Sequence, residues 1–138
     1  MDSRIFKCAF FSALLILTAI SCQDNPFTQG ERLYDHLCAN CHMDTGEGLQ
    51  NLIPPLAGSE FVRDNVSGAA CIIRYGTSDT ITVAGRVFQQ PMAGNPDLTE
   101  FEIANLVNYI RHAWGNEYGF VKLDEIKAGL EACRPASE

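Results

Sequence analysis

The chain has 138 residues, six cysteines and a net charge of −7. Its length fits one globular domain, since domains usually take roughly 100–150 residues, and 46% of its residues are hydrophobic, unlike a disordered tail. Seventeen acidic against ten basic residues argue against a nucleic-acid-binding protein. Six cysteines fall below the roughly 8–10% of a small disulfide-rich scaffold, so they call for another explanation.

The N-terminal segment has the order of an export signal. Two basic residues precede an apolar run at residues 8–20, which is shorter than the roughly 18–20 residues needed to cross a bilayer. Small residues follow, as at a secretory cleavage site. We therefore predict a signal peptide at residues 1–21, a polar tether at 22–27 and an exported domain at 28–138. A short uncleaved anchor helix is the alternative.

The expected cleavage site, Ala19-Ile20-Ser21-Cys22, resembles the lipobox of bacterial lipoproteins. In that motif the cysteine carries the lipid, although Leu is commoner where this chain has Ala19. The same residues also fit the small-x-small pattern of ordinary signal peptidase, which would cut the bond without lipidation. The resemblance implies a protein on the periplasmic side of a bacterial envelope, anchored to a membrane through Cys22.

Helix and loop signals alternate along the first half of the expected domain. A capping-box pattern at residues 28–31 predicts a helix that begins there and runs into Cys38. Gly, Pro, Asn and Asp are frequent in residues 43–59, which are expected to form a loop. Two short helices are expected after it, at roughly residues 60–65 and 68–75.

The second half contains a β signal and the strongest helix signal. Residues 81–88 are β-branched and alternating, with Ala-Gly at their centre, and predict a small hairpin. A second capping box at residues 99–102 begins a helix whose apolar side chains recur at helical spacing until Gly115. A short last helix is expected at about residues 123–133. The fold class predicted is mostly α, with four or five helices and one small β-hairpin insertion.

Cys38, Cys41 and His42 form a C-x-x-C-H pattern. Two thiols one helical turn apart match the two vinyl groups on one edge of a haem, so thioether bonds can hold the ring. The adjacent histidine is then placed to bind the iron through a ring nitrogen. The pattern predicts one covalently bound haem c.

Three other uses of these thiols fit the sequence less well. A thioredoxin-like CxxC follows a strand of a βαβ unit, whereas a capped helix is expected before Cys38. A zinc site needs a second close pair, and Cys71 and Cys133 are far apart in the sequence. A disulfide between Cys38 and Cys41 leaves His42 without a role.

The second axial ligand of the iron is predicted to be Met92. Met43 directly follows His42 and cannot reach the other face of a haem. His36 lies on the helix that leads into the motif, and His112 is expected to be a solvated surface residue. A core methionine that fills a gap is the alternative role for Met92. Thioether ligation favours ferrous iron and raises the reduction potential relative to two histidines.

With these residues in place, the chain resembles the class I (mitochondrial-type) monohaem cytochromes c over roughly residues 27–116. The landmarks in order are Gly30 and Tyr34 in a first helix, the motif at 38–42, Pro54-Pro55-Leu56-Ala57-Gly58, Met92, and the family's C-terminal helix, which ends here in Trp114-Gly115-Asn116. The resemblance implies that the first helix crosses the helix that ends at Trp114, with Gly30 allowing close approach near Leu106 or Tyr109. The hairpin and the C-terminal extension lie outside the family's minimal pattern.

The resemblance also implies further residues around the cofactor. Matching the family's Pro-x-Leu segment, the Pro54 carbonyl would accept a hydrogen bond from the unligated ring nitrogen of His42. Leu56 would pack on the haem. These two residues complete the expected cofactor site of Cys38, Cys41, His42 and Met92, with iron bound by the last two.

Cys71 and Cys133 remain once the other cysteines have roles. In an oxidising compartment such a pair most simply forms a disulfide, which would hold the last helix against the segment before Arg74. Two free buried thiols are the alternative.

These features predict a single-haem electron carrier that cycles between Fe(III) and Fe(II) and is not itself an enzyme. A relay subunit of a larger oxidoreductase complex would use the same chemistry and is the main alternative. A haem peroxidase or gas sensor would instead require a displaceable sixth ligand. The acidic balance suggests redox partners with a basic docking patch, because complementary charge speeds encounter.

Overall fold

Helices account for about half of residues 25–134, the part of the chain that the computed structural model describes. They are α1 (Thr28–Leu37), α2 (Ala39–His42), α3 (Glu60–Asp64), α4 (Val66–Tyr75), α5 (Glu100–His112) with a 3₁₀ turn at Ala113–Gly115, and α6 (Leu123–Ala132). The mostly α class is confirmed, with six α-helices in this range where four or five were expected. The predicted signal peptide and Cys22 lie outside this range, and none of the described helices is long and apolar enough to span a membrane.

Two small antiparallel sheets accompany the helices. β2 (Ile81–Val83) pairs with β3 (Arg86–Phe88), which confirms the expected hairpin. Its two turn residues both have positive φ, as a type I′ turn requires. β1 (Gly76–Thr77) pairs with β4 (Met92–Ala93), a ladder that the sequence did not predict because two-residue strands carry no measurable periodicity.

α1 and α5 cross at Gly30. This residue is buried, and a Cβ placed on it would lie 2.6 Å from the Cβ of Tyr109, closer than side-chain carbons approach. The same Cβ would also meet the backbone carbonyl of Asn105. The crossing confirms the expected approach of α1 to Tyr109 and puts Ile103 and Leu106 into the core behind it.

The two predicted capping boxes have different outcomes. At α5 the hydroxyl of Thr99 accepts from the N–H of Glu102. The Glu102 carboxylate accepts in return from the N–H and the hydroxyl of Thr99, and these two bonds lower the pKa of that carboxyl. At α1 the prediction is wrong: Thr28 is already helical, and its hydroxyl donates to the Asn25 carbonyl at 2.7 Å. An Asn25 side chain that accepts from the N–H of Phe27 turns the chain there instead.

A disulfide joins Cys71 in α4 to Cys133 immediately after α6, as predicted. It closes a loop with a sequence separation of 62 residues. In the chain-entropy account, a loop of that length stabilises the fold by about 4 kcal/mol. Ile126 and Leu130 of α6 are buried in the same core as α5, so the C-terminal extension is a packed part of the domain.

A buried arginine also fastens the extension. Arg111 is 6% exposed and donates only to backbone carbonyls: to Gly119 at 3.1 Å, to Val62 at 2.6 Å, to Arg63 at 2.9 Å and to Tyr118. Burial lowers its pKa. The guanidinium thereby ties the segment after α5 to the C-terminal end of α3.

Replacing Gly30 with Ala should destabilise the domain by about 1–3 kcal/mol, because the added methyl group cannot be placed without separating α1 from α5. Denaturant unfolding of the haem-loaded protein measures the change. Gln29→Ala on the exposed neighbouring position is the control and should stay within about 0.5 kcal/mol of the parent. Equal stabilities for the two variants would contradict the close helix crossing.

Candidate functional site

An apolar cavity lies between the helices and the β2–β3 hairpin. The empty space within its lining is about 690 Å³, a figure that includes open solvent at its mouth. Side chains from α3, α4, α5 and the hairpin form most of its wall: Phe61, Val62, Ala69, Ile72, Ile73, Ile81, Val83, Val107 and Ile110. The hairpin, outside the minimal family pattern, therefore covers part of this cavity.

His42 faces the cavity from the end of α2 and is 8% exposed. Its Nδ1 lies 3.1 Å from the carbonyl oxygen of Pro54. Because a carbonyl can only accept, Nδ1 carries the proton and Nε2 keeps a free lone pair. Burial lowers the pKa of this imidazole, while the bond to Pro54 opposes the shift. The ring is thus held neutral and oriented, the state in which histidine binds a metal.

The two cysteines of the motif have different surroundings. Cys38 lines the cavity, and burial, followed by the nearby Cys41, raises the pKa of its thiol to about 12. Cys41 is exposed and does not line the cavity. The N–H groups of Cys41 and His42 both donate to the Cys38 carbonyl, at 3.0 and 2.8 Å, so the motif forms one tight helical turn. Both thiols are free in residues 25–134.

The loop after the motif folds back so that Pro54 meets His42. The N–H groups of Leu56 and Ala57 donate to the Gly46 carbonyl at 2.7 and 2.9 Å. The N–H of Gly48 donates to the carbonyl of His42 at 3.0 Å. As a result Pro54, Pro55 and Leu56 line the cavity beside the imidazole.

Met92 lines the same cavity although it follows His42 by fifty positions. It is half-buried and belongs to β4, which pairs with β1 at the end of α4. His36 is exposed and does not line the cavity. His112 is not the solvated residue expected: its ring stacks on Phe27 at 4.3 Å and its Nδ1 bonds to the Asn108 carbonyl. That expectation failed because the segment before α1 packs over the end of α5.

An aromatic cluster supports the loop from behind. The Tyr34 hydroxyl donates to the Met43 carbonyl at 2.6 Å, and burial raises the pKa of this phenol well above its usual value. Trp114 donates from Nε1 to the Asp44 carbonyl at 2.9 Å and lies against Gly46, leaving no room for a Cβ there. The sequence showed both aromatics as family landmarks but gave no sign of these loop contacts.

Asn116 is a second support that the sequence did not identify. It is 3% exposed, and its Oδ1 accepts from the N–H of Gly58 at 2.8 Å. Its Nδ2 donates to the carbonyls of Leu56 and Ile110, at 3.1 and 2.7 Å. One amide thus links the end of α5 to the loop that carries Pro54.

This set of groups fits haem c. The cavity offers one thiol in its wall, a second on the same helical turn, an oriented neutral imidazole and a thioether sulfur. The rest of its lining is apolar apart from the buried Ser59, whose hydroxyl accepts from the N–H of Val62. Such a lining excludes water from a flat hydrophobic ring.

Comparison with known proteins agrees with this fit. The cytochrome c family model matches residues 27–114. The cytochrome c subunit of a quinone-dependent alcohol dehydrogenase from Gluconobacter oxydans is 35% identical over 89 residues, covering 63% of this chain but 18% of that subunit. Cytochrome c-552 of Thermus thermophilus is 33% identical over 91 residues, covering 63% of this chain and 69% of the relative.

A third relative extends the match slightly further along this chain. The fructose dehydrogenase cytochrome subunit of Gluconobacter japonicus is 30% identical over 105 residues, which cover 72% of this chain and 21% of the subunit. The chain therefore spans about a fifth of the dehydrogenase subunits that it matches and about two thirds of the cytochrome c-552.

Replacing Asn116 with Leu should destabilise the domain by about 2–4 kcal/mol, since the buried amide is lost and the N–H of Gly58 and the carbonyls of Leu56 and Ile110 lose their partner. Denaturant unfolding of the haem-loaded protein measures the loss. Asn51→Leu makes the same change at an exposed position and should have little effect. If the two variants unfold at the same denaturant concentration, Asn116 does not support the loop.

Proposed function

The chain belongs to the cytochrome c family, and on that basis we propose that Cys38 and Cys41 hold its haem c through thioether bonds while His42 and Met92 bind the iron. The observation that carries the proposal is the shared cavity. Cys38, His42 and Met92 all line it, and the imidazole is already fixed with Nε2 free. Cys41 lies on the same turn of α2.

The chain is a haem c electron carrier or the relay subunit of a larger assembly, as its family and relatives indicate. When bound, haem supplies a one-electron Fe(III)/Fe(II) couple. The residues of the chain orient the iron ligands and control the access of water to the haem. Pro54 holds the His42 ring and its tautomer, while the apolar wall, including Leu56, keeps water away. A thioether from Met92 would favour the ferrous state.

Between the two forms, we favour a small carrier that moves electrons between proteins and performs no reaction on a substrate. The match extends over 69% of cytochrome c-552, against 18% of the alcohol dehydrogenase subunit. The dehydrogenase relatives keep a relay subunit as the second candidate. A peroxidase or gas sensor would need an open position at the iron, where we place Met92.

For location, the proposal follows the N-terminal sequence. The signal-like residues 1–21 favour export, and the lipobox-like sequence that ends at Cys22 favours a lipid anchor in a bacterial envelope. Covalent haem attachment in an exported protein is consistent with a periplasmic position. The tether would leave the domain free to meet partners near the membrane.

Met92→Leu should remove the methionine–iron bond while keeping the volume of the side chain. We expect ferric wild-type protein to be low-spin, with the charge-transfer absorption of methionine-ligated iron. The variant should lose that band completely, become high-spin and show a lower reduction potential. Absorption spectra and a redox titration of the purified haem-loaded proteins measure these changes.

The control for this experiment is Met43→Leu, which makes the same change beside His42 and should preserve the band. A high-spin ferric spectrum in the wild-type protein would exclude Met92 as a ligand. Extraction with acid and organic solvent removes haem that is not covalently bound. A protein that shows no haem absorption after this extraction would exclude the thioether bonds. The two results test the axial ligand and the attachment separately.

Electron transfer to a basic redox protein should slow as salt is added, because the chain carries a net charge of −7. Between about 10 and 150 mM salt we expect the second-order rate to fall about ten-fold as charges are screened. Stopped-flow kinetics measure the rate. With hexacyanoferrate, a small anion, the dependence should reverse. A rate to the basic protein that salt does not change would contradict charge-guided docking.

A further inference from the structure

The segment that carries Met92 is fastened to the end of α4. β1 follows α4 directly and pairs with β4, placing Thr77 opposite Met92 and Gly76 opposite Ala93. Two residues later, the N–H of Asn95 donates to the Ile73 carbonyl at 2.8 Å. These backbone hydrogen bonds therefore hold Met92 in a fixed position relative to α4.

Backbone packs directly on backbone at this junction. A Cβ on Gly94 would lie 2.6 Å from the Arg74 carbonyl oxygen, and one on Gly76 would lie 2.5 Å from the Met92 carbonyl oxygen. Neither position has room for a side chain. The two segments can therefore separate only by breaking these backbone contacts.

Arg74 adds a side-chain bond across the same junction. Its Nη1 donates to the Pro96 carbonyl at 3.1 Å. Among the described residues, it is the only hydrogen bond that a side chain from outside residues 92–98 donates to that segment. Within residues 25–134, the Nε of Arg74 is buried and has no hydrogen-bond partner. Burying an unpaired N–H opposes folding, so the arginine is held here at a cost that an apolar residue would not have.

We propose that Arg74 is a positioning residue for Met92: by holding Pro96 it keeps the methionine segment on α4 and so limits how often Met92 leaves the iron. The proposal rests on the assignment of Met92 as axial ligand made above. Arg74 does not line the cavity, so it acts through the loop and not by contact with the cofactor. Its loss shifts the equilibrium towards an open loop with a vacant iron position.

Imidazole is a probe of that equilibrium, because it binds ferric iron only when Met92 has left. Its apparent dissociation constant falls as the open fraction rises. For haem-loaded Arg74→Gln we expect imidazole to bind about ten-fold tighter than in wild type, as the loss of one charged hydrogen bond predicts. Arg74→Lys keeps the charge and one donor and should give a smaller increase, about three-fold.

Arg63→Gln is the matched control, since it removes the same charge from an exposed side chain bonded to its neighbour Asp64. Its imidazole affinity should stay within about two-fold of wild type. Equal affinities in wild type and Arg74→Gln, or an equal increase in Arg63→Gln, would overturn the proposal. A lower thermal midpoint in Arg74→Gln with unchanged imidazole affinity would also overturn it, because the role would then be general stability.

The absorption spectrum of the wild-type protein distinguishes a failure of the Arg74 proposal from a failure of the Met92 ligand assignment. If the methionine–iron band is absent from wild type, the ligand assignment fails, and the role of Arg74 fails with it. If the band is present and the Arg74 variants bind imidazole as wild type does, only the role of Arg74 fails. Should Arg74→Gln yield no haem-loaded protein, Arg74→Lys decides: an unchanged affinity overturns the proposal, and a tighter one supports it.

Discussion

The close crossing of α1 and α5 at Gly30 is the constraint on which the rest of the domain depends. α1 leads directly into the turn with Cys38 and His42, and α5 supplies Val107 and Ile110 to the opposite part of the cavity lining. A side chain at the crossing would separate these two groups of residues. One glycine therefore sets the spacing between the attachment motif and the cavity wall.

The proposed axial ligands are held by two different means. His42 is held by the loop that carries Pro54. Backbone hydrogen bonds within this loop close it, and the side chains of Trp114 and Asn116 bond to it from outside. Met92 instead belongs to a short ladder built on the end of α4. The loop beside His42 therefore relies on several side-chain hydrogen bonds, and the Met92 segment mainly on backbone contacts. We expect the Met92 segment to open first, because it has fewer side-chain hydrogen bonds to break.

Features with a local signal were predictable from the sequence. The spacing of the C-x-x-C-H motif, the capping box at α5 and the Ala-Gly turn each depend on a few adjacent residues, so their chemistry could be inferred directly. The Cys71–Cys133 disulfide was predicted by counting the cysteines of a chain expected to be exported. The support from Asn116, the guanidinium of Arg111 and the stacking of His112 have no local signature, since each depends on segments that only the folded chain brings together.

The cytochrome c match ends at residue 114, yet the fold does not end there. Without the following residues Arg111 would lose two of its four carbonyl acceptors, those of Gly119 and Tyr118. Gly58 would lose its partner Asn116, and Cys71 would lose its disulfide. Each loss reaches the cavity, because α3, α4 and the Pro54 loop all line it. The extension is therefore part of the same folding unit as the cofactor site, and it fixes α4, on which Met92 is mounted.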